Sequence, residues 1–330
     1  MTKLSLEKIF LPIKNELKVV EKKIAAELSM VDLVSPEMKN HLLASSGKLL
    51  RPALVLFSAR FSNKLNSNDS PVISVAVASE LIHTATLVHD DIIDQADRRR
   101  GKESVWQRWG SEQAVLLGDF LFVKAFNILT EVNKQEITGL FSQVADSMCQ
   151  GQMYQIALRY KLNTTFEEYL KVIDNKTASF TYACCKAGGL LGGLSPKEIN
   201  GLVDYGQSLG RSFQITDDKL DYSGTLKQTG KTGKNDLKDG EVTLPLIHCL
   251  KALKTEEKRN LKKVLRNFWS KKVPFSQIQK FMFSTKSLEY SQQKAAEFTQ
   301  QAVNSLSLFP QSACKESLVN LAEYILNRKG

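Results

Sequence analysis

Apolar residues recur at spacings of three and four along nearly every long segment of the chain, and no series of alternating short strands bounded by turns interrupts them. The pattern predicts an all-α fold. Helix starts are written at Ser35-Pro36, at Ser111-Glu112, and in the capping boxes Thr165 to Glu168 and Ser195-Pro196 to Glu198. Their spacing predicts helices of about two to three dozen residues. The run VISVAVASELIHTATLV (72–88) predicts a deeply buried helix, and GGLLGG (188–193) a helix end or a close packing contact. Residues 62–70, 95–102 and 224–241 look like loops. With no linker-like change of composition and no internal repeat, residues 1–330 are expected to form a single domain.

Two clusters of carboxylates stand out against this background. His89-Asp90-Asp91-Ile92-Ile93-Asp94 closes the long apolar run, and Asp217-Asp218-Lys219-Leu220-Asp221 follows a second helical run, SLGRSFQIT. Each residue of a helix turns about 100°, so Asp90 and Asp94 project from one face with Asp91 close by. Like charges so placed need neutralising. Mg²⁺ suits them, because it takes one or two carboxylates per site and completes its shell with water and substrate phosphate, so the implied ligand is a diphosphate. A single such cluster reads as a solvated acidic face. Two copies, each ending a buried helix, outweigh that reading.

Composition adds the complement. Of the 330 residues 42% are hydrophobic, enough for a sizeable core, and the formal charge of +10 favours anionic partners. Candidate phosphate-binding cations are Lys48 and Arg51, the run Arg98-Arg99-Arg100, Lys176 beside Thr177, and Lys231 and Lys234. No aromatic–basic surface repeat or nucleic-acid motif is present, so no nucleic-acid partner is expected. GTLKQTGKTG is not a P-loop, since its glycines are wrongly spaced and an aspartate-rich helix precedes it. The five cysteines lack metal-type spacing and read as buried or free thiols in a reducing compartment. The amino end has no apolar signal region, and a cytoplasmic location is expected. Lys251 to Lys272 reads first as a solvated helix surface and second as a weak contact with acidic membrane.

In order along the chain, GKLLRP (47–52), ELIHTATLVHDDIIDQADRRRG (80–101), GDFLF (118–122), KTA (176–178), FQITDDKLD (213–221), GKTGKNDLKDG (230–240), TLPLI (243–247) and, weakly, YILNR (324–328) resemble the trans-isoprenyl diphosphate synthases, the polyprenyl synthetase family. The resemblance implies a bundle of antiparallel helices around a deep central cavity, a homodimer, and successive head-to-tail condensation of isopentenyl diphosphate onto an allylic diphosphate. It implies Asp90, Asp94 and Asp217 as ligands of Mg²⁺, about three ions with the substrate diphosphate bound, with Asp91, Asp218 and Asp221 in support. Arg99, Lys176 and Lys231 would hold the allylic diphosphate, and Lys48, Arg51, His83 and Arg100 isopentenyl diphosphate. Thr177 and Gln214 would lie beside the reacting carbons.

Ile82, Ala85 and Thr86 precede Asp90 by one to two turns and would line the product channel. Small residues at 85 and 86, where short-chain members carry bulky aromatics, imply a long product of roughly thirty to fifty carbons, with Phe122 or Phe126 as a deeper floor. Otherwise these small residues simply allow close helix packing. Leu49 stands where the family often has a basic residue, and Glu241 where many members have lysine. The competing readings are a shorter-chain synthase, a terpene cyclase, which has no second substrate, and a non-catalytic partner subunit, which would have lost an aspartate motif.

Overall fold

The structure, a computed structural model, describes residues 5–29, 35–44, 47–62, 70–223, 235–270 and 272–328. Its longer helices are α1 (Lys14–Ser29), α2 (Pro36–Ala44), α3 (Leu50–Ala59), α4 (Ser70–Ile93), α5 (Ser111–Glu131), α6 (Gln135–Ala157), α7 (Phe166–Ile173), α8 (Ser179–Leu191), α9 (Pro196–Ser223), α10 (Leu244–Ala252), α11 (Thr255–Trp269), α12 (Ser276–Ser284), α13 (Ser287–Ser305) and α14 (Ala313–Asn327). The all-α expectation holds. The caps form as written: Ser35 Oγ accepts from the Met38 N–H at 3.2 Å, and both capping boxes close, Glu168 with Thr165 and Glu198 with Ser195. Only α4 and α9, at 24 and 28 residues, reach the expected lengths, and α5 and α6, at 21 and 23, fall just short. The others are shorter, some ending at Gly, Pro or Ser positions such as Gly192-Gly193 and others at short polar turns such as Thr285-Lys286.

Residues 95–102 are not a plain loop. Arg98–Arg99 and Lys102–Glu103 pair antiparallel, joined by Arg100 at φ 52° and Gly101 at φ 81°. Two successive positive φ values give the tight turn whose twist suits a hairpin, and Gly101 makes it possible. Most of the loops at 62–70 and 224–241 lie outside the described residues.

Two compact units share the chain, one made of Met1–Gln143, Thr181–Asp204 and Ser305–Leu321, the other of Val144–Phe180, Tyr205–Asn304 and Ala322–Gly330. In the first, α4 packs against α1, α3 and α5, and Val75, Ala76, Ile82 and Ala85 are fully buried. Small residues set the spacing: a Cβ on Gly118 of α5 would stand 2.2 Å from His89 Nε2, and one on Gly188 of α8 would stand 2.3 Å from the Val55 carbonyl oxygen of α3. GGLLGG is therefore both a helix end and a close contact.

In the second unit Ile215, Tyr222, Leu246, Leu261, Leu265 and Ile278 form a common core. Helix α11 shows why: Leu261, Leu265 and Phe268 are buried along one stripe, while Arg259, Lys263 and Arg266 are exposed along another. All five cysteines are free, four of them buried, with Cys149 exposed.

Gly188→Ala should destabilise the protein by ~1–3 kcal/mol, since the backbone of α3 cannot yield to a methyl group. Gly139→Ala, where a Cβ meets nothing within 4 Å, should instead be neutral or stabilise by up to about 1 kcal/mol through helix propensity. Urea denaturation of the two variants checks both.

Candidate active site

The first aspartate cluster sits where α4 ends. The Asp94 N–H donates to the Asp90 carbonyl at 2.8 Å, so the helical turn carries both side chains onto one face. Gln95, at φ 48°, then stops the helix, with the Gln95 N–H bonded to Ile92 O and the Ala96 N–H to Asp91 O. This left-handed cap satisfies the last carbonyls. It also puts three carboxylates at the negative end of a long helix, where cations are favoured. Asp91 is buried, 3% exposed, and held on both oxygens by Arg99 Nε at 2.8 Å, with Arg99 Nη2 at 2.7 Å. Asp90 and Asp94 are partly exposed.

Close by in the same unit lies a cationic group. Arg51 Nη1 is 3.1 Å from His83 Nε2, and a Cβ on Gly47 would meet Arg100 Nη2 at 2.8 Å, which brings the GKLLRP turn against the hairpin. Burial, reinforced by Arg51, Arg100 and Arg99, holds the His83 imidazole well below its usual range, so the neutral ring accepts from Arg51. Glu80 is buried here, its carboxyl raised by burial and lowered in part by Arg51 and Arg100. Lys48 is exposed. Leu49, at φ 50° and 7% exposed, is a buried anchor for the turn. The apolar residue there fills the core.

The second cluster repeats the division of labour. Asp217 is exposed, and Asp218 is buried, 3% exposed, with Tyr169 Oη donating to Oδ2 at 2.6 Å and Gln214 Nε2 to Oδ1 at 2.8 Å. The Thr177 hydroxyl donates to Gln214 Oε1 at 2.9 Å, so Thr177, Gln214, Asp218 and Tyr169 form one chain of hydrogen bonds. Asp221 Oδ2 accepts from the Asp236 N–H at 3.2 Å. Burial pushes the Asp218 carboxyl up to about 7 despite these donors, with Asp217 and Glu241 adding to the rise. Buried carboxylates driven toward neutrality by one another are relieved by a bound cation. Asp217 Oδ1 takes Arg328 Nη2 at 2.9 Å, and that guanidinium also lies 4.1 Å from the centre of the Phe213 ring.

Lys176 and Thr177 lie on a single π-helical turn, Asp174–Ala178, of the kind that often marks a functional site. Arg211 fixes its start, Nε to Asp174 Oδ1 at 2.6 Å and Nη2 to Oδ2 at 2.7 Å. Lys176 Nζ donates to Gln155 Oε1 at 3.1 Å. Lys231 and Lys234 lie outside the described residues.

The structure thus gathers Arg51, His83 and Arg100 in one group, Asp91 with Arg99 in another, and Thr177, Gln214 and Asp218 in a third. Sequence reasoning missed Tyr169, Arg211, Gln155, Glu80 and Arg328; the YILNR match was the one signal pointing at the last. Among the described residues no three His, Cys, Asp or Glu side chains form a closed metal cage. Mg²⁺ takes one or two carboxylates and completes its shell with water and phosphate, and the solvent-accessible Asp90, Asp94 and Asp217 fit that donor set.

Residues 34–281 match the sequence profile of the polyprenyl synthetase family. The octaprenyl diphosphate synthase of Escherichia coli is 31% identical over 300 residues, covering 91% of either chain. A short chain isoprenyl diphosphate synthase of Methanothermobacter thermautotrophicus is 33% identical over 293 residues, covering 88% of this chain and 89% of that one. The crystal structure of a polyprenyl synthase from Caulobacter crescentus, complexed with calcium and isoprenyl diphosphate, superposes over all of both chains with a TM-score of 0.91 at 29% identity. With both aspartate clusters present, each built around a buried, anchored inner carboxylate, the chain belongs to the polyprenyl synthetase family and is a prenyltransferase.

Proposed function

We propose that the protein is an all-trans polyprenyl diphosphate synthase that adds isopentenyl diphosphate units to an allylic diphosphate to give a long-chain product. The observation that carries this reading is the division inside each aspartate cluster. Asp91 and Asp218 are buried and clamped, which leaves Asp90, Asp94 and Asp217 to meet ligands from the solvent side. Bound Mg²⁺ would supply the Lewis acidity that neutralises the leaving diphosphate.

The protein's own groups do the rest. Lys176, Lys231 and Arg99 hold the allylic diphosphate, Arg99 also setting the orientation of Asp91. Arg51, Arg100 and Lys48 hold isopentenyl diphosphate, with neutral His83 fixing the Arg51 guanidinium. As the allylic carbon–oxygen bond breaks, diphosphate departs with the electron pair; the double bond of isopentenyl diphosphate attacks the cation, and a proton is lost to the departing diphosphate. Gln214, oriented by its bond to Asp218, and Thr177, which donates to Gln214, sit on the wall where this happens. Preorganised donors of this kind cost no reorganisation during the reaction.

Product length is the part on which the relatives divide, since synthases of both short and long products match at similar identity. Ile82 and Ala85 are fully buried and Thr86 is half-buried, its hydroxyl donating to the His83 carbonyl at 2.8 Å. The absence of a bulky aromatic at 85 and 86 supports the longer product, with Phe122 and Phe126 of α5 further along.

Helix α5 supports a homodimer. Only 33% of its most apolar stretch is buried, and Val115, Leu116 and Val123 are exposed beside half-buried Phe120. The exposed Arg259, Lys263 and Arg266 stripe of α11, together with Phe283 of α12 at 81% exposure, supports a weak contact with acidic membrane. The five free cysteines fit a cytoplasmic setting.

Purified protein with Mg²⁺, labelled isopentenyl diphosphate and farnesyl diphosphate should give a ladder of products ending at about thirty or more carbons, and Asp90→Ala should lower its rate by at least about a hundredfold. No incorporation with any allylic primer would defeat the reading. Ala85→Phe should shorten the ladder while incorporation continues, as resolved by chromatography of the dephosphorylated products. The double variant Leu116→Lys with Val123→Lys should run as a monomer in sedimentation velocity if α5 is the dimer face.

A further inference from the structure

The proposed function assigns no task to Glu241, a carboxylate beside the elements proposed to bind diphosphate. Its surroundings give it a task. Glu241 Oε1 accepts a hydrogen bond from Gln155 Nε2, and Gln155 Oε1 in turn accepts from Lys176 Nζ at 3.1 Å. A lysine ammonium only donates, a carboxylate only accepts, and an amide has one end of each kind. Between Lys176 and Glu241 the Gln155 amide therefore has a single favourable orientation, carbonyl toward the lysine and NH₂ toward the carboxylate.

The backbone fixes both ends of this relay. The Glu241 N–H donates to the Asp236 carbonyl at 2.8 Å and the Gly240 N–H to the Leu237 carbonyl at 3.2 Å, a left-handed cap with Gly240 at φ 82°. The Tyr160 N–H holds the Gly240 carbonyl at 2.7 Å, and a Cβ on Gly240 would stand 2.5 Å from the Tyr160 ring. On the other side, α6 meets the π-helical turn so closely that a Cβ on Gly151 would be 2.9 Å from the Lys176 backbone nitrogen. Gln155 lies one turn beyond Gly151 on that same helix face. Arg159 Nη2 stands 4.0 Å from Glu241 Oε1 and offsets its charge.

We infer that Glu241 is a positioning residue which, acting through the Gln155 amide, holds the Lys176 ammonium in place for the allylic diphosphate, with Arg159 balancing the added carboxylate. The inference rests on the proposed role of Lys176. A lysine at 241 would leave the amide between two ammonium groups, with its NH₂ end forced against one of them. In this chain the carboxylate at 241 contributes by organising a neighbouring cation.

The test is binding of farnesyl S-thiolodiphosphate, a non-ionising analogue, measured by calorimetry with the full-length protein at saturating Mg²⁺, alongside KM for isopentenyl diphosphate. Glu241→Lys should weaken analogue binding about tenfold and leave the isopentenyl KM within about twofold. Glu241→Gln, which still offers an acceptor to Gln155 Nε2, should change binding by no more than about twofold. Combining Gln155→Glu with Glu241→Lys places a carboxylate between two ammonium groups and should restore affinity to within about threefold of wild type. Should Glu241→Lys fail to fold by circular dichroism, Gln155→Met breaks the relay with Glu241 intact and should show the same tenfold loss. Unchanged or tighter analogue binding in Glu241→Lys, or in Gln155→Met where the first variant does not fold, overturns the inference, as does a double variant no better than Glu241→Lys alone. A wild-type protein that does not bind the analogue with Mg²⁺ overturns the proposed function itself, and this inference with it.

Discussion

Everything at the candidate site depends on the cost of burying a carboxylate. An ionised Asp removed from water must be met by donors or by a cation, or it gives up its charge. Asp91 and Asp218 show the two solutions. Asp91 is matched by the full guanidinium of Arg99; Asp218 receives only neutral donors, from Tyr169 and Gln214, and its carboxyl is pushed up to about 7. The inner acids therefore serve as foundations. Their neighbours Asp90, Asp94 and Asp217 are held in register by the helices without being drawn into the interior themselves.

A second constraint comes from the helix ends. Helix α4 stops through a left-handed residue, and so does the short turn before Glu241. In both places the final carbonyls are capped by backbone N–H groups, so the chain turns sharply while its last acceptors stay satisfied. The hairpin that follows α4 bends the chain back at Arg100, a non-glycine residue with positive φ. Such a conformation costs about a kcal/mol or more and persists where surrounding structure demands it; here it sets Arg100 against Gly47 and next to the Arg51–His83 pair.

Much of this was legible in the sequence. The capping boxes, the apolar run of α4 and the repeated aspartate clusters are local signals, each contained within a few residues, and each forms as read. The groups that escaped notice are tertiary. Tyr169 is 49 residues from Asp218, and Arg328 is 111 from Asp217. Neither tyrosine nor arginine in a helical segment carries any mark of the partner it will find. Leu49 and Glu241 looked like defects because a position was judged by its residue type alone. In the fold one is a core side chain and the other points into an amide relay, so neither has to touch a phosphate.

The tight approach of α8 to α3 has a practical corollary. Cys184 and Cys185 lie on the same short helix as Gly188, sealed in the interior, where burial lifts the Cys184 thiol well above its usual range and Cys185 to about 12. Cys249 and Cys314 are buried as well, so the native protein presents a single accessible thiol, Cys149 on α6, six residues before Gln155. A maleimide spin label or fluorophore would attach there without any engineering and report directly on movement of the helix that carries the relay.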